Sequence, residues 1–367
     1  MKLIKTSIIY DNPLPALKSI HSFFPSIIEL DNGEILAGHQ MGEAFEAVNS
    51  TSYISRSITG GSSFTAPMQM FDKKNKKPIR SDCCKITKLN DGRIIALGYQ
   101  FIRKDETLPI GNPETGGLLD DEVFYSISKD NGYTWSKRKI IRCIWGQHVE
   151  ASAPITVLKD GSWATPITGF SNWEGRNSIP CNGRLLRSYD AGKKWNDNVV
   201  CMKFDTDDIT CFEQRMCQLE NGNIVVIGWN ENLKTGELLN NHITISKDNG
   251  KTFSAPIDTG IKGQASFVLA LDDNKILSLH SLRRDCENPG IYGYIVDLSE
   301  GKWNVIESKL LWAPNTPILK DKNFANVFAF LKFGQPSAIR INDNQLLMTH
   351  WACENGQYKT YCSKIEL

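Results

Sequence analysis

Three carboxylates stand in surroundings that suit acid–base chemistry. Glu213 lies in Cys211-Phe-Glu-Gln-Arg-Met-Cys217, a segment apolar enough to bury a carboxylate part-way. Arg215, two residues on, points to the same side of a strand, so the pair is either a working carboxylate with its cation or a structural ion pair. Glu150 lies in Gln147-His-Val-Glu-Ala-Ser152, and Asp82 in Arg80-Ser-Asp-Cys83. Two carboxylates across one cleft are the minimal equipment for glycoside hydrolysis. Otherwise Glu150 is a solvated loop residue and Asp82 a turn residue. His39, His280 and His350 offer a second chemistry, since imidazole can act as a base near neutral pH. Beside an arginine that neutralises a uronic acid, such a base would make a lyase. Trp229, Arg283 and Gln335 complete the candidate set, as groups able to stack on a sugar ring or bond its hydroxyls.

What brings these residues together is a repeated hairpin. A strand, a turn of the Asp-Gly type and a second strand recur six times. The turn positions are Gly33, Gly92, Gly161, Gly222, Asn274 and Asn344, at spacings of 59, 69, 61, 52 and 70 residues. After each hairpin comes a third strand, and in several units a second turn with the pattern S-x-D-x-G-x-[TK]-[WF]. Ser128-Lys-Asp-Asn-Gly-Tyr-Thr-Trp135, Ser188-Tyr-Asp-Ala-Gly-Lys-Lys-Trp195 and Ser246-Lys-Asp-Asn-Gly-Lys-Thr-Phe253 are close copies. Ser55 to Phe64 is a degenerate copy, and Asp297 to Trp303 a fragment. Here Asp can accept bonds from backbone N–H groups ahead of it, and Gly supplies positive φ.

Six phased units of four strands predict an all-β fold, a six-bladed β-propeller of four-stranded antiparallel blades in one domain over residues 1–367. The last unit ends on its third strand, Lys359 to Ile365. The strand-like Leu3 to Ile9 is expected to close that blade. In this geometry, residues nine to eleven before each hairpin turn and six to ten after it gather at one mouth. Glu150, Glu213 and Gln335 come from the first strands, with Asp82. His39, Trp229, His280, Arg283 and His350 come from the second. The three histidines share one offset, six residues after the turn position. Segments 103–121, 170–183 and 311–330 break the rhythm and are expected to rim the mouth as loops.

The S-x-D-x-G-x-T-W element resembles the Asp box (BNR repeat) of the sialidase, or neuraminidase, superfamily, and the likeness extends over nearly the whole chain through the six-fold phasing. It implies a glycan-active propeller. Glu213, nine residues before Gly222, matches the glutamate that sialidases carry in their fourth blade. Phe23 stands where those enzymes place the arginine of Phe-Arg-Ile-Pro, Trp229 where a second carboxylate-binding arginine lies, and Gln335 where the nucleophilic tyrosine lies. An Arg clamp suits a carboxylate and a neutral aromatic does not, so sialic acid is not the expected substrate unless Arg215, Arg283 or Arg284 supplies the cation. The pairing of Glu213 with Glu150 resembles that in exo-arabinanases of similar shape. The expected function is an exo-acting glycoside hydrolase with carboxylate acid/base catalysis. The alternatives are a lyase with a histidine base and a non-catalytic carbohydrate-binding propeller.

Composition narrows the field further. The 367 residues are 41% hydrophobic and 23% charged, with net charge +1. This is ordinary globular make-up without the basic excess of a nucleic-acid binder, so carbohydrate is the expected partner and nucleic acid and membrane are not. The ten cysteines show no zinc-site spacing, and no metal or other cofactor is expected. The N-terminal Met-Lys-Leu-Ile-Lys-Thr-Ser lacks the apolar core of a secretory signal, so a cytoplasmic location with free thiols is expected.

Overall fold

The hairpin repeat folds into six antiparallel sheets, seen in a computed structural model that describes residues 1–72, 77–177, 179–284, 286–315 and 331–367. Each sheet is one blade of a six-bladed β-propeller, and no helix occurs among the described residues. From the axis outward, blade 1 is His21–Glu29, Ile35–Gly42, Thr51–Ser57 and Met68–Gln69. Blade 2 runs Ile79–Lys88, Ile94–Arg103, Asp121–Ser128 and Lys139–Ile141. In blade 3 the inner strand is split into Val149–Glu150 and Thr156–Val157, both paired with Trp163–Gly169, followed by Gly183–Ser188 and Asn196–Met202. Blade 4 is Phe212–Gln218, Ile224–Trp229, His242–Ser246 and Ile257–Asp258, and blade 5 is Ser266–Ala270, Lys275–Leu282, Gly290–Asp297 and Asn304–Trp312. Blade 6 uses Phe333–Asn342, Gln345–Glu354 and Gln357–Glu366, and its outermost strand is Lys2–Tyr10 from the other end of the chain. The N-terminal strand thus closes the ring as expected, with Leu3 opposite Ile365 and Ile8 opposite Tyr361.

The second strands read as nearly continuous apolar runs because both their faces are covered by neighbouring blades. Ile35–Gly42, Trp163–Gly169 and Ile224–Trp229 are buried at every residue. One apolar seam forms between each successive pair of blades. Ile28, Leu36 and Ile54 meet Ile86 and Ile94 between blades 1 and 2. Leu97 and Tyr125 meet Val149 and Trp163 between blades 2 and 3. The ring closes where Ile27 and Ile35 of blade 1 meet Leu347 and Cys362 of blade 6, with Ile9 from the N-terminal strand. Trimming one such residue to alanine removes about 2–5 kcal/mol of stability.

The S-x-D-x-G turns tie the third strands to the fourth. The Ser128 hydroxyl accepts the Gly132 N–H at 2.8 Å and donates to Asp130 at 2.8 Å, and Asp130 accepts the Thr134 N–H at 2.9 Å. The same bonds recur at Ser188, Asp190, Gly192 and Lys194, and at Ser246, Asp248, Gly250 and Thr252. The three glycines take φ of 77–82°, open to glycine at little cost. In blade 1 the turn begins two residues later than the sequence pattern suggested. Ser57 accepts the Gly61 N–H at 2.9 Å, and Thr59 occupies the aspartate position.

Two of the expected insertions meet. In 103–121, Asn112 and Thr115 donate to the Trp173 carbonyl at 2.9 and 2.7 Å, and Leu118 N–H bonds the Ser171 carbonyl, both partners lying in 170–183. Of the third, Trp312 belongs to the outer strand of blade 5 rather than to a loop, and 316–330 lie outside the described residues.

Candidate functional site

The inner strands of blades 1, 4 and 6 share a distortion. Phe24, Glu213 and Gln335, each nine residues before its turn, have φ of 50°, 43° and 40°. At the same places the pairing register slips, between Phe23 and Ser26, Phe212 and Arg215, and Gly334 and Ser337. These are β-bulges with a non-glycine residue in the left-handed region, a conformation that persists only where its surroundings enforce it. A bulge turns a side chain or carbonyl out of the ladder, and here three of them converge.

Glu213 accepts two side-chain N–H groups. Trp229 Nε1 donates to Oε2 at 2.8 Å, and the Gln335 amide donates to Oε1. Its own backbone N–H donates to Glu150 Oε2 at 2.7 Å, so the Glu150 carboxylate rests against the Glu213 backbone and the two residues that the sequence singled out are neighbours. Glu150 also accepts the Ser152 N–H at 3.2 Å and is buried, which pushes its pKa up; nearby Arg215 pulls it back part of the way. Glu150 is therefore not a solvated loop residue. Nor does Arg215 pair with Glu213: its guanidinium donates to Ser152 Oγ at 2.9 Å and to the Gln214 carbonyl at 2.7 Å.

Buried cations lie near the carboxylates. Lys85 is 3% exposed; its ammonium donates to the Phe24 carbonyl at 2.6 Å and to Gln335 Oε1 at 3.0 Å. Burial lowers its pKa to about 8. Arg283, 7% exposed, donates to the Phe333 carbonyl and to Gln264 Oε1 at 3.4 Å, with Cζ 5.8 Å from the Trp351 ring centre. Burial lowers it to about 10. Among the described residues, neither Lys85, Arg215 nor Arg283 has a carboxylate within salt-bridge distance. Arg284 instead faces Glu231 at 3.8 Å.

Other expected site residues lie elsewhere. Asp82 is buried in the joint between blades 1 and 2, where it accepts Thr51 Oγ1 at 2.9 Å, the Ser52 N–H and Oγ at 3.0 and 2.8 Å, and Arg138 Nη2 at 2.9 Å. It is a structural clamp with no side-chain surface left for a substrate. His39, His280 and His350 are wholly buried, and burial drives each down to about 3. His39 sits between Ser22 and Ser55 at 2.8 and 3.1 Å, and His280 between Asn241 and Ser278 at 3.3 and 2.8 Å. His350 lies between the rings of Trp312 and Tyr361. Their common offset places them in the packed faces of the blades, not at the mouth.

Trp229, one residue further from its turn than the histidine offset, does reach Glu213, and Tyr99 at the same offset in blade 2 lies within the field of both carboxylates. Burial and the charges of Glu150 and Glu213 raise the Tyr99 phenol well above its ordinary value. Lys85 and Tyr99 were missed from sequence, although both were readable: Lys85 shares with Arg215 the position seven before the turn glycine. Phe23, at the family's arginine position, is the fully buried centre of an aromatic cluster with Phe24, Phe45, Trp351 and Tyr358 at ring separations of 4.9–6.1 Å. Phe24, Phe45 and Tyr358 keep part of their surface exposed, a face on which a sugar ring can stack. No group of metal-ligating side chains occurs among the described residues.

No protein-family model matches the sequence, and no curated protein matches it. Solved structures do match in fold. A protein of unknown function from Dyadobacter fermentans superposes with a TM-score of 0.76 at 19% identity, over 100% of this chain and 99% of that one. The α-L-arabinanase of Penicillium chrysogenum complexed with arabinobiose gives 0.65 at 13%, over 100% and 99%. The Trypanosoma rangeli sialidase gives 0.62 at 14%, over 94% of this chain but 53% of that one. The chain thus has a sialidase-like propeller fold and spans about half the length of that sialidase.

Proposed function

We propose that this protein is an exo-acting glycoside hydrolase with Glu213 and Glu150 as its catalytic pair. The observation that carries this reading is the bond that seats the Glu150 carboxylate on the bulged backbone of Glu213, with the two carboxyl groups in different surroundings. Glu213, with an N–H donor on each oxygen, is suited to act as the anion, either attacking the anomeric carbon or taking a proton from the water that does. Glu150, its proton favoured by burial, gives that proton to the glycosidic oxygen as the C–O bond breaks. Across the whole reaction one water is consumed, its hydroxyl going to the anomeric carbon and its proton restoring the acid. The fold shared with an arabinanase and with sialidases supports a carbohydrate substrate. Three buried cations, Lys85, Arg215 and Arg283, with no carboxylate within salt-bridge distance among the described residues, favour a sugar bearing an acidic group. The buried, neutral histidines weigh against the lyase, and the paired acids against a purely binding role.

The test is mass spectrometry of a mixed oligosaccharide pool incubated with wild type and with Glu213→Gln. The pool contains arabino-oligosaccharides, sialosides and uronic-acid glycans. A product that has gained one water and disappears in the variant supports the reading. An unsaturated product, or a hydrolysis product that survives the substitution, overturns it.

A further inference from the structure

Gln335 is held from both ends. Its carbonyl oxygen accepts the Lys85 ammonium at 3.0 Å, and its amide nitrogen donates to Glu213. An amide between two such partners has one sensible orientation, because reversal would set its NH2 against the ammonium and its carbonyl against the carboxylate. Lys85 is fixed in turn by the Phe24 carbonyl at 2.6 Å. The bulges at Phe24, Glu213 and Gln335 thus share one chain of bonds crossing the axis from blade 1 through blades 2 and 6 to blade 4.

We infer that Lys85 is a positioning residue for Glu213. Acting through Gln335, it fixes the amide that holds the carboxylate against Trp229. This rests on Glu213 being the working carboxylate. The lysine hydrogen-bonds neither carboxylate, so beyond its charge near Glu213 its effect passes through the amide. With its charge in place, Lys85 polarises the Gln335 amide and strengthens the N–H donated to Glu213. Without it, the amide is free to turn and Glu213 loses one of its two side-chain donors.

The other groups facing Lys85 leave a clean window in which to watch this bridge. Cys83 and Cys84 flank it on its own strand, and burial raises both thiols above their ordinary value. Arg215 and Glu213 face it from blade 4, while blades 1 and 6 present the Phe24 carbonyl and the Gln335 amide. Lys85 itself is brought down to about 8 by burial.

The test needs no substrate. The side-chain NH2 resonances of Gln335 are followed in glutamine-15N-labelled protein from about pH 6.5 to 9.5, assigned by their loss in Gln335→Glu. In the wild type the pair is expected to shift with a midpoint near pH 8, and in Lys85→Met or Lys85→Gln it is expected to stay still. A flat wild-type response overturns the inference without reliance on any variant folding. So does an equal shift in either folded lysine variant. If the pool assay yields a substrate, Lys85→Met should lower kcat about ten-fold or more with KM within about two-fold. An unchanged kcat also overturns it. Activity that survives Glu213→Gln removes the catalytic reading instead, and the two failures are told apart.

Discussion

Asp82 and Glu213 come from neighbouring positions of the same repeat and end in opposite situations. Asp82 lies ten residues before its turn in blade 2, on a strand whose register with its partner is unbroken from Ile79 to Lys88. Its side chain turns into the joint between blades and is saturated by two hydroxyls, a backbone N–H and Arg138. Glu213 lies nine before its turn in blade 4, where the register breaks between Phe212 and Arg215 and φ is 43°. Its carboxylate leaves the ladder and meets Trp229, Gln335 and the neighbourhood of Glu150. An intact ladder has made one carboxylate a clamp; a bulge has made the other available.

The sharpest way to break this comparison is to substitute both. Glu213→Gln keeps the shape and both side chains around it, so turnover should fall about 100- to 10,000-fold, with the unfolding midpoint in denaturant little changed. Asp82→Ala should do the reverse to stability. It takes one partner from the part-buried Arg138 and strands the buried Thr51 and Ser52 donors, and should cost about 3–5 kcal/mol in a urea titration. If Asp82→Ala is stable but inactive, the assignment of clamp and catalyst is wrong.

Trp229→Phe probes the same carboxylate more gently. The ring is kept and one N–H to Glu213 is lost, a bond to a charged group in a site where Trp229 is 9% exposed. A fall in kcat of about 10-fold or more is expected, with KM nearly unchanged. An effect on KM alone would make Trp229 a sugar-stacking residue, its originally expected role.

The hairpin phasing disclosed the propeller because periodic turns and apolar second strands are local signals. The same phasing brought Glu150, Glu213 and Gln335 to one place, since offset from a turn maps onto height along the inner strand. It misled for the histidines because offset alone does not say which way a side chain faces. One residue separates His280, deep in a blade face, from the offset at which Trp229 reaches Glu213 and Tyr99 feels the charge of both carboxylates. The bulges were invisible too: nothing in Phe24, Glu213 or Gln335 announces a left-handed φ that other residues usually avoid. Lys85 escaped because its partners, the Phe24 carbonyl and Gln335, are 61 and 250 positions away in the sequence.

The blade faces can be set against the mouth by pH. His39 and His280 have folded pKa values near 3, below the unfolded value of about 6.5. Between those values the unfolded chain binds more protons, so stability is complete above pH 6.5 and is lost as pH falls toward 3. Thermal melts at pH 7.5, 6 and 5 should therefore show a falling Tm, and His280→Asn should flatten that fall. A slope indifferent to His280 and to His39→Asn would mean that the buried imidazoles do not govern acid sensitivity.

His350 supplies the smallest and most discriminating test among the histidines. It matches His39 and His280 in offset and burial, yet neither of its ring nitrogens has a hydrogen-bond partner among the described residues. It is held instead by rings, with Trp312 at 4.8 Å and Tyr361 stacked at 5.2 Å. Burying unpartnered polar nitrogens costs free energy that an apolar ring of similar shape does not incur. His350→Phe should therefore leave stability unchanged or raise it by about 1 kcal/mol, and leave turnover untouched. The same change at His39 removes the bonds to Ser55 and to Ser22, which keeps only Thr360, and should destabilise by about 1–3 kcal/mol. A loss of activity in His350→Phe at full stability would return a histidine to the chemistry and reopen the lyase reading.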